Sequence, residues 1–67
     1  MSNSFEKVIR VGISAKSFSD AVEQVVKEAA KEGPVGWFEV VEHRGKVLPD
    51  GNLEYQATVN IGRKLKQ

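Results

Sequence analysis

The chain has no cysteine, and that absence excludes both disulfides and thiolate metal sites. Histidine occurs once, at His43, so imidazoles alone cannot assemble a zinc site either. No apolar run approaches the roughly 20 residues needed to cross a bilayer. The start Met1-Ser2-Asn3-Ser4-Phe5-Glu6-Lys7 lacks the apolar segment of a secretory signal, so a cytoplasmic protein is expected. Neither sign of charge dominates. Ten Lys and Arg against nine Asp and Glu leave a net charge of +1, too little to point to a nucleic-acid or membrane partner. Nothing resembles a nucleophile–base pair or a catalytic carboxylate dyad, so no catalytic residues and no enzymatic activity are expected.

What remains is a chain of 67 residues, read as a single domain over positions 1–67. A chain this short buries only about 60% of the surface its unfolded form exposes, so its own core is marginal. Small domains compensate with disulfides, a metal or association. With the first two excluded, association is the one left.

The elements are readable. Phe5 to Val11 mixes β-branched and charged residues and predicts a first strand, followed by a turn over Gly12-Ile13-Ser14-Ala15-Lys16. Ser17 is a natural N-cap, with Asp20 in the first turn of the helix it opens. Phe18, Ala21, Val22, Val25 and Ala29 recur at the spacing of an amphipathic helix. Gly33 and Pro34 stop it. A second strand is expected over Val35 to Val47, a tight reversal at Leu48-Pro49-Asp50-Gly51-Asn52, and a third strand from Leu53. In that third strand Leu53, Tyr55, Ala57, Val59 and Ile61 alternate with Glu54, Gln56, Thr58 and Asn60. The fold class is therefore α+β: β-α-β-β, with a three-stranded antiparallel sheet packed on one helix.

The lone tryptophan gives this fold its point. Successive strand residues face opposite sides, so Phe38 and Val40 turn toward the helix, with Leu53, Tyr55, Ala57, Val59 and Ile61. Trp37, Glu39 and Val41 turn away. The far side of the sheet then carries Trp37, Val41, Gln56, Thr58 and Asn60 with no second layer of chain to cover it. A one-sided antiparallel sheet can face water, but an indole placed there asks for a partner or a flat ligand.

These residues, taken in order, resemble the dodecin family: Gly12-x-Ser14 leading into Ser17-Phe18 and the helix, Trp37-Phe38-Glu39-Val40 followed by Arg44-Gly45, then Tyr55-Gln56 and the ending Ile61-Gly62-x-x-Leu65. The resemblance spans essentially the whole chain. It implies a hollow homododecamer that stores or sequesters a flavin (FMN, riboflavin or FAD), stacks it between tryptophans of neighbouring subunits and quenches its photochemistry. Carried over by position, it implies that Trp37 stacks on the flavin ring and that Gln56 hydrogen-bonds its polar edge. Stacking a ring on an aromatic side chain is worth roughly 1–3 kcal/mol where measured for nucleobases, and a Gln amide both donates and accepts.

The chain departs from the family's usual pattern in two places. Glu32-Gly33-Pro34-Val35-Gly36 stands where a basic, Leu-containing segment is common, and Arg63-Lys64 stands where an aromatic or apolar residue usually follows the glycine. A dodecin-like shell with a structural or ion-binding role and no flavin is the alternative. A nucleic-acid binder using Trp37 and the basic run Arg63-Lys64-Leu65-Lys66 is disfavoured by the net charge. That basic run itself is expected to be a solvated terminus, and His43 an ordinary strand residue or an intersubunit contact.

Overall fold

The computed structural model describes residues 4–65. Strand β1 (Phe5–Ser14) leads into helix α1 (Phe18–Glu32), and a long hairpin of β2 (Val35–Val47) and β3 (Leu53–Lys64) completes the chain. The sheet is antiparallel in the order β1-β3-β2, so β3 is central and both other strands are edges. The expected β-α-β-β sheet with one helix is the fold observed. No helix among the described residues is long and apolar enough to cross a membrane.

The helix starts where its cap predicts. Ser17 Oγ accepts a hydrogen bond from the Asp20 backbone N–H at 3.0 Å, satisfying one of the orphan donors of the first turn. Ser14 adds a second fastening. Its hydroxyl donates to Asp20 Oδ2 at 2.6 Å and accepts from the Lys16 backbone N–H at 2.9 Å. Gln24 Nε2 donates to the same Asp20 oxygen. These neighbours, Ser14 first and Gln24 second, hold the Asp20 carboxyl below its usual pKa.

The buried stripe of the helix, Ala21, Val25 and Ala29, meets Ala57, Val59 and Ile61 of the central strand. Val59 and Ile61 are fully buried, each contributing on the order of 1.5–3 kcal/mol. Two of the three helix positions are alanine, which lets the helix lie close to the sheet. Gly12 takes that approach to its limit: a Cβ there would overlap the Ala21 carbonyl oxygen. This corrects the expectation of a turn from Gly12. The strand continues through Ile13 and Ser14, paired with Gln56 and Tyr55, and the glycine serves helix–strand contact instead of chain reversal.

The reversal between β2 and β3 follows its sequence. Gly51 N–H donates to Leu48 O at 2.9 Å, the Asp50 carboxylate accepts from the Asn52 backbone N–H, and Gly51 takes φ 88°. A non-glycine residue is strained at that angle.

Two further expectations need correcting. The helix lies over β1 and β3 more than over β2, so Phe38, Val40 and Leu53, expected under the helix, are exposed. Val41, expected on the far face with Trp37, sits at a register shift: Val40 pairs with Val59 and Glu42 with Thr58, leaving Val41 as the extra residue of a bulge. The bulge reverses parity beyond it, so His43 faces the helix. There its ring lies 4.6 Å from that of Phe18, which also meets Tyr55 edge-on.

Candidate functional site

The sheet face away from the helix is built from all three strands. Register places Ile9, Val11 and Ile13 of β1 beside Asn60, Thr58 and Gln56 of β3. Glu39 and Arg44 of β2 stand across from Asn60 and Gln56 on the other side. Ile9 is 67% exposed, and Val11 and Ile13 are also exposed. Sequence reading placed Trp37, Gln56, Thr58 and Asn60 on this face but missed the apolar row of β1. Its signal was the alternation Phe5, Lys7, Ile9, Val11, Ile13, which extends the strand past Val11.

Trp37 occupies one end of this face. It follows a register irregularity between Val35 and Trp37 and pairs with Gly62. A Cβ at Gly62 would overlap the indole, so the ring rests directly on the β3 backbone. Even so, Trp37 keeps 39% of its surface open. At the adjacent position, a Cβ on Gly36 would come within 3.3 Å of Phe5 Cζ. Two aromatic rings, Phe5 and Trp37, thus lie against glycines at the same end of the sheet.

Gln56 lies on the same face, paired with Ile13 and Arg44. Its Nε2 makes a long 3.4 Å contact to Glu54 Oε1. Trp37 is level with position 62 and Gln56 is at position 56 of the same strand, which separates them by about 20 Å at roughly 3.3 Å per residue. The chain brings the two expected site residues onto one surface but not into one pocket.

Polar groups along the face are partly committed. Asn60 Nδ2 donates to Glu39 Oε1 at 3.3 Å. Glu54 stands opposite Lys46 across the hairpin. Arg63 is engaged, contrary to a freely solvated tail: Nη1 lies 3.5 Å from Glu32 Oε1, beside the stronger Arg10–Glu32 pair. Lys66 of that basic run lies outside the described residues. The groups with displaced pKa, Arg10, Asp20 and Glu32, fasten the helix to the strands. Among the described residues no three His, Cys, Asp or Glu side chains gather as a metal site.

Comparison with known proteins decides the family. The Dodecin family profile matches residues 6–66. The chain belongs to the dodecin family. It is 32% identical to the dodecin of Thermus thermophilus over the whole of this chain and 99% of that one. The solved structure of dodecin from Streptomyces coelicolor superposes with a TM-score of 0.86 at 30% identity, covering 100% of this chain and 99% of that chain. A calcium dodecin from Mycobacterium tuberculosis, described with a calcium-binding site, shares the fold at a TM-score of 0.85 but only 19% identity, covering 92% and 90% of the two chains. Membership of the dodecin family implies self-assembly, in keeping with a sheet face that the chain leaves bare.

Proposed function

We propose that this dodecin is a non-catalytic flavin-binding protein of the cytoplasm, which assembles as a homododecamer and stores or sequesters FMN, riboflavin or FAD. One observation carries the reading: the indole of Trp37 lies on the sheet with much of its surface open, on a face that no other layer among the described residues covers. The fit is chemical as well as geometric. A flavin presents a broad π-system and an imide edge with both donors and acceptors. Trp37 offers the matching aromatic plane and Gln56 the matching amide.

The separation of these two residues within a subunit supports a site shared between subunits. Trp37 of one subunit stacks on the ring, and Gln56 of a neighbour orients its edge. Burial between subunits excludes water from the stack, and indole contact quenches the emission of the ring. Bound flavin supplies a light-absorbing, redox-active ring system; the residues around it hold it and restrain it.

Titrating the ligand-free protein into riboflavin or FMN and following flavin fluorescence tests the reading. Saturable quenching at micromolar protein supports it. Unchanged emission, with a dodecamer-sized particle in sedimentation, would overturn it in favour of a structural or ion-binding shell. The fold shared with the M. tuberculosis calcium dodecin is what supports that second reading.

A further inference from the structure

The contact between Trp37 and Gly62 says more than that the two are close. A Cβ built on Gly62 would meet three indole atoms, Cε2, Nε1 and Cζ2, with Cε2 nearest and Cζ2 at 2.6 Å. Cε2 is a ring-fusion atom that carries no hydrogen and is recessed between Nε1 and Cζ2. An approach in the plane of the ring reaches those two outer atoms first. Only an approach over the π-face reaches Cε2 first. The indole therefore lies face-down on β3, with Gly62 beneath its five/six-ring junction.

The geometry points to Gly62 as a positioning residue that fixes the plane of the Trp37 indole and leaves it a single usable face. The residue preceding Trp37 helps to set that plane. Gly36 falls within the register irregularity between Val35 and Trp37, so residues 36 and 37 together oppose Gly62. Bulges re-aim the side chains that follow them. Any side chain at position 62 must lift the ring off the strand, because an overlap with the rigid indole cannot be relieved by a rotamer change at a flexible tip.

A face-down indole has a functional consequence, which rests on the flavin reading above. One π-face is covered by backbone, so each Trp37 offers stacking area on one side only. It ends a stack and cannot stand in the middle of one. The height and tilt of the open face above the sheet then follow from the strand backbone and not from a side-chain rotamer.

The test compares wild type, Gly62→Ala, Trp37→Ala and the double variant. Near-ultraviolet circular dichroism and acrylamide quenching of the flavin-free particle report the indole directly, and thermal unfolding reports the clash. Gly62→Ala is expected to change the aromatic dichroism, raise indole accessibility to acrylamide and lower the melting temperature. In the Trp37→Ala background the same Gly62→Ala substitution is expected to cost little, because the ring it displaces is gone. Riboflavin affinity of Gly62→Ala is expected to fall at least about tenfold, the scale of disturbing one aromatic stack. An unchanged indole signal, or an equal melting loss with and without Trp37, overturns the assignment. If Gly62→Ala fails to fold alone, folding of the double variant supports it, and failure of both overturns it. Wild-type protein that ignores riboflavin sinks the flavin reading and leaves the indole and melting measurements to decide on Gly62.

Discussion

Glu32, the last residue of the helix, takes a bidentate pair of hydrogen bonds from the Arg10 guanidinium, at 2.6 and 3.0 Å. A carboxylate at a helix C-terminus opposes the macrodipole, and here two strand arginines, Arg10 and more distantly Arg63, turn that liability into a clasp between α1, β1 and β3. Arg10 holds the Glu32 carboxyl below the ordinary range, and Glu32 in turn raises the Arg10 guanidinium.

A group whose pKa is lowered on folding stabilises above its unfolded value and loses that contribution as pH falls through the folded one. Glu32 and Asp20 both have this sign. Stability is expected to hold near neutrality and to decline on acidification below about pH 4, the ordinary carboxylate range. Glu32→Gln should be slightly less stable than wild type at pH 7 and lose less between pH 5 and pH 2. Parallel acid limbs in thermal melts of the two proteins would refute the clasp. The effect is small, since both side chains are partly solvated.

Gly12→Ala should be among the most damaging single-methyl additions in the chain. The new Cβ runs into the Ala21 carbonyl, which is helix backbone and cannot swing away. Overpacking of this kind costs about 1–3 kcal/mol or more. Denaturant unfolding should show a lowered midpoint, whereas Gly45→Ala, whose Cβ meets its nearest neighbour at 3.7 Å, should be far milder.

Ser17→Ala removes the acceptor for the Asp20 backbone N–H. An N-cap loss of about 1 kcal/mol is expected, read as a lowered unfolding midpoint. Ser17→Asp should restore most of it.

Trp37→Ala and Gln56→Ala each should impair flavin quenching while leaving an assembled particle, since both residues lie on the sheet face away from the core. Co-assembling the two variants gives a sharper result. Positions 37 and 56 are about 20 Å apart in one subunit at strand spacing, so a site shared between subunits would pair intact Trp37 of one chain with intact Gln56 of another. Mixed particles should regain a fraction of the sites. A mixture no better than either variant alone would show that the two residues do not act across an interface.

Much of this was legible in the sequence, for identifiable reasons. Ser17, Gly33 and Pro34 bracket the helix by local chemistry, and Pro49-Asp50-Gly51 defines the hairpin reversal, so the topology followed from short-range signals. The alternation of Ala57, Val59 and Ile61 identified the core face of the central strand. What escaped was set by contacts between elements. Gly12 has the composition of a turn, and only the path of Ala21 over it explains its place in a strand. The bulge at Val41 has no residue signature, yet it decides that His43 faces Phe18. Trp37 and Gln56 share a face, as sequence reading expected, but they do so through the parity shift at the Val41 bulge, which carries no sequence signal. Their separation depends on the register of Trp37 with Gly62, which sequence does not reveal.

Strand β2 is exposed from Gly36 to Val47 on an edge of the sheet, and with β3 it extends a subunit whose longest dimension is 53 Å. Phe38, Val40, Val41 and Val47 are all open along it. A newly made chain therefore carries an unprotected, greasy sheet edge, the type of surface that recruits any passing strand. Reaching sister chains before such chance encounters becomes a race, so yield and aggregation during production should depend on chain concentration and temperature more than the folding of the small core would suggest.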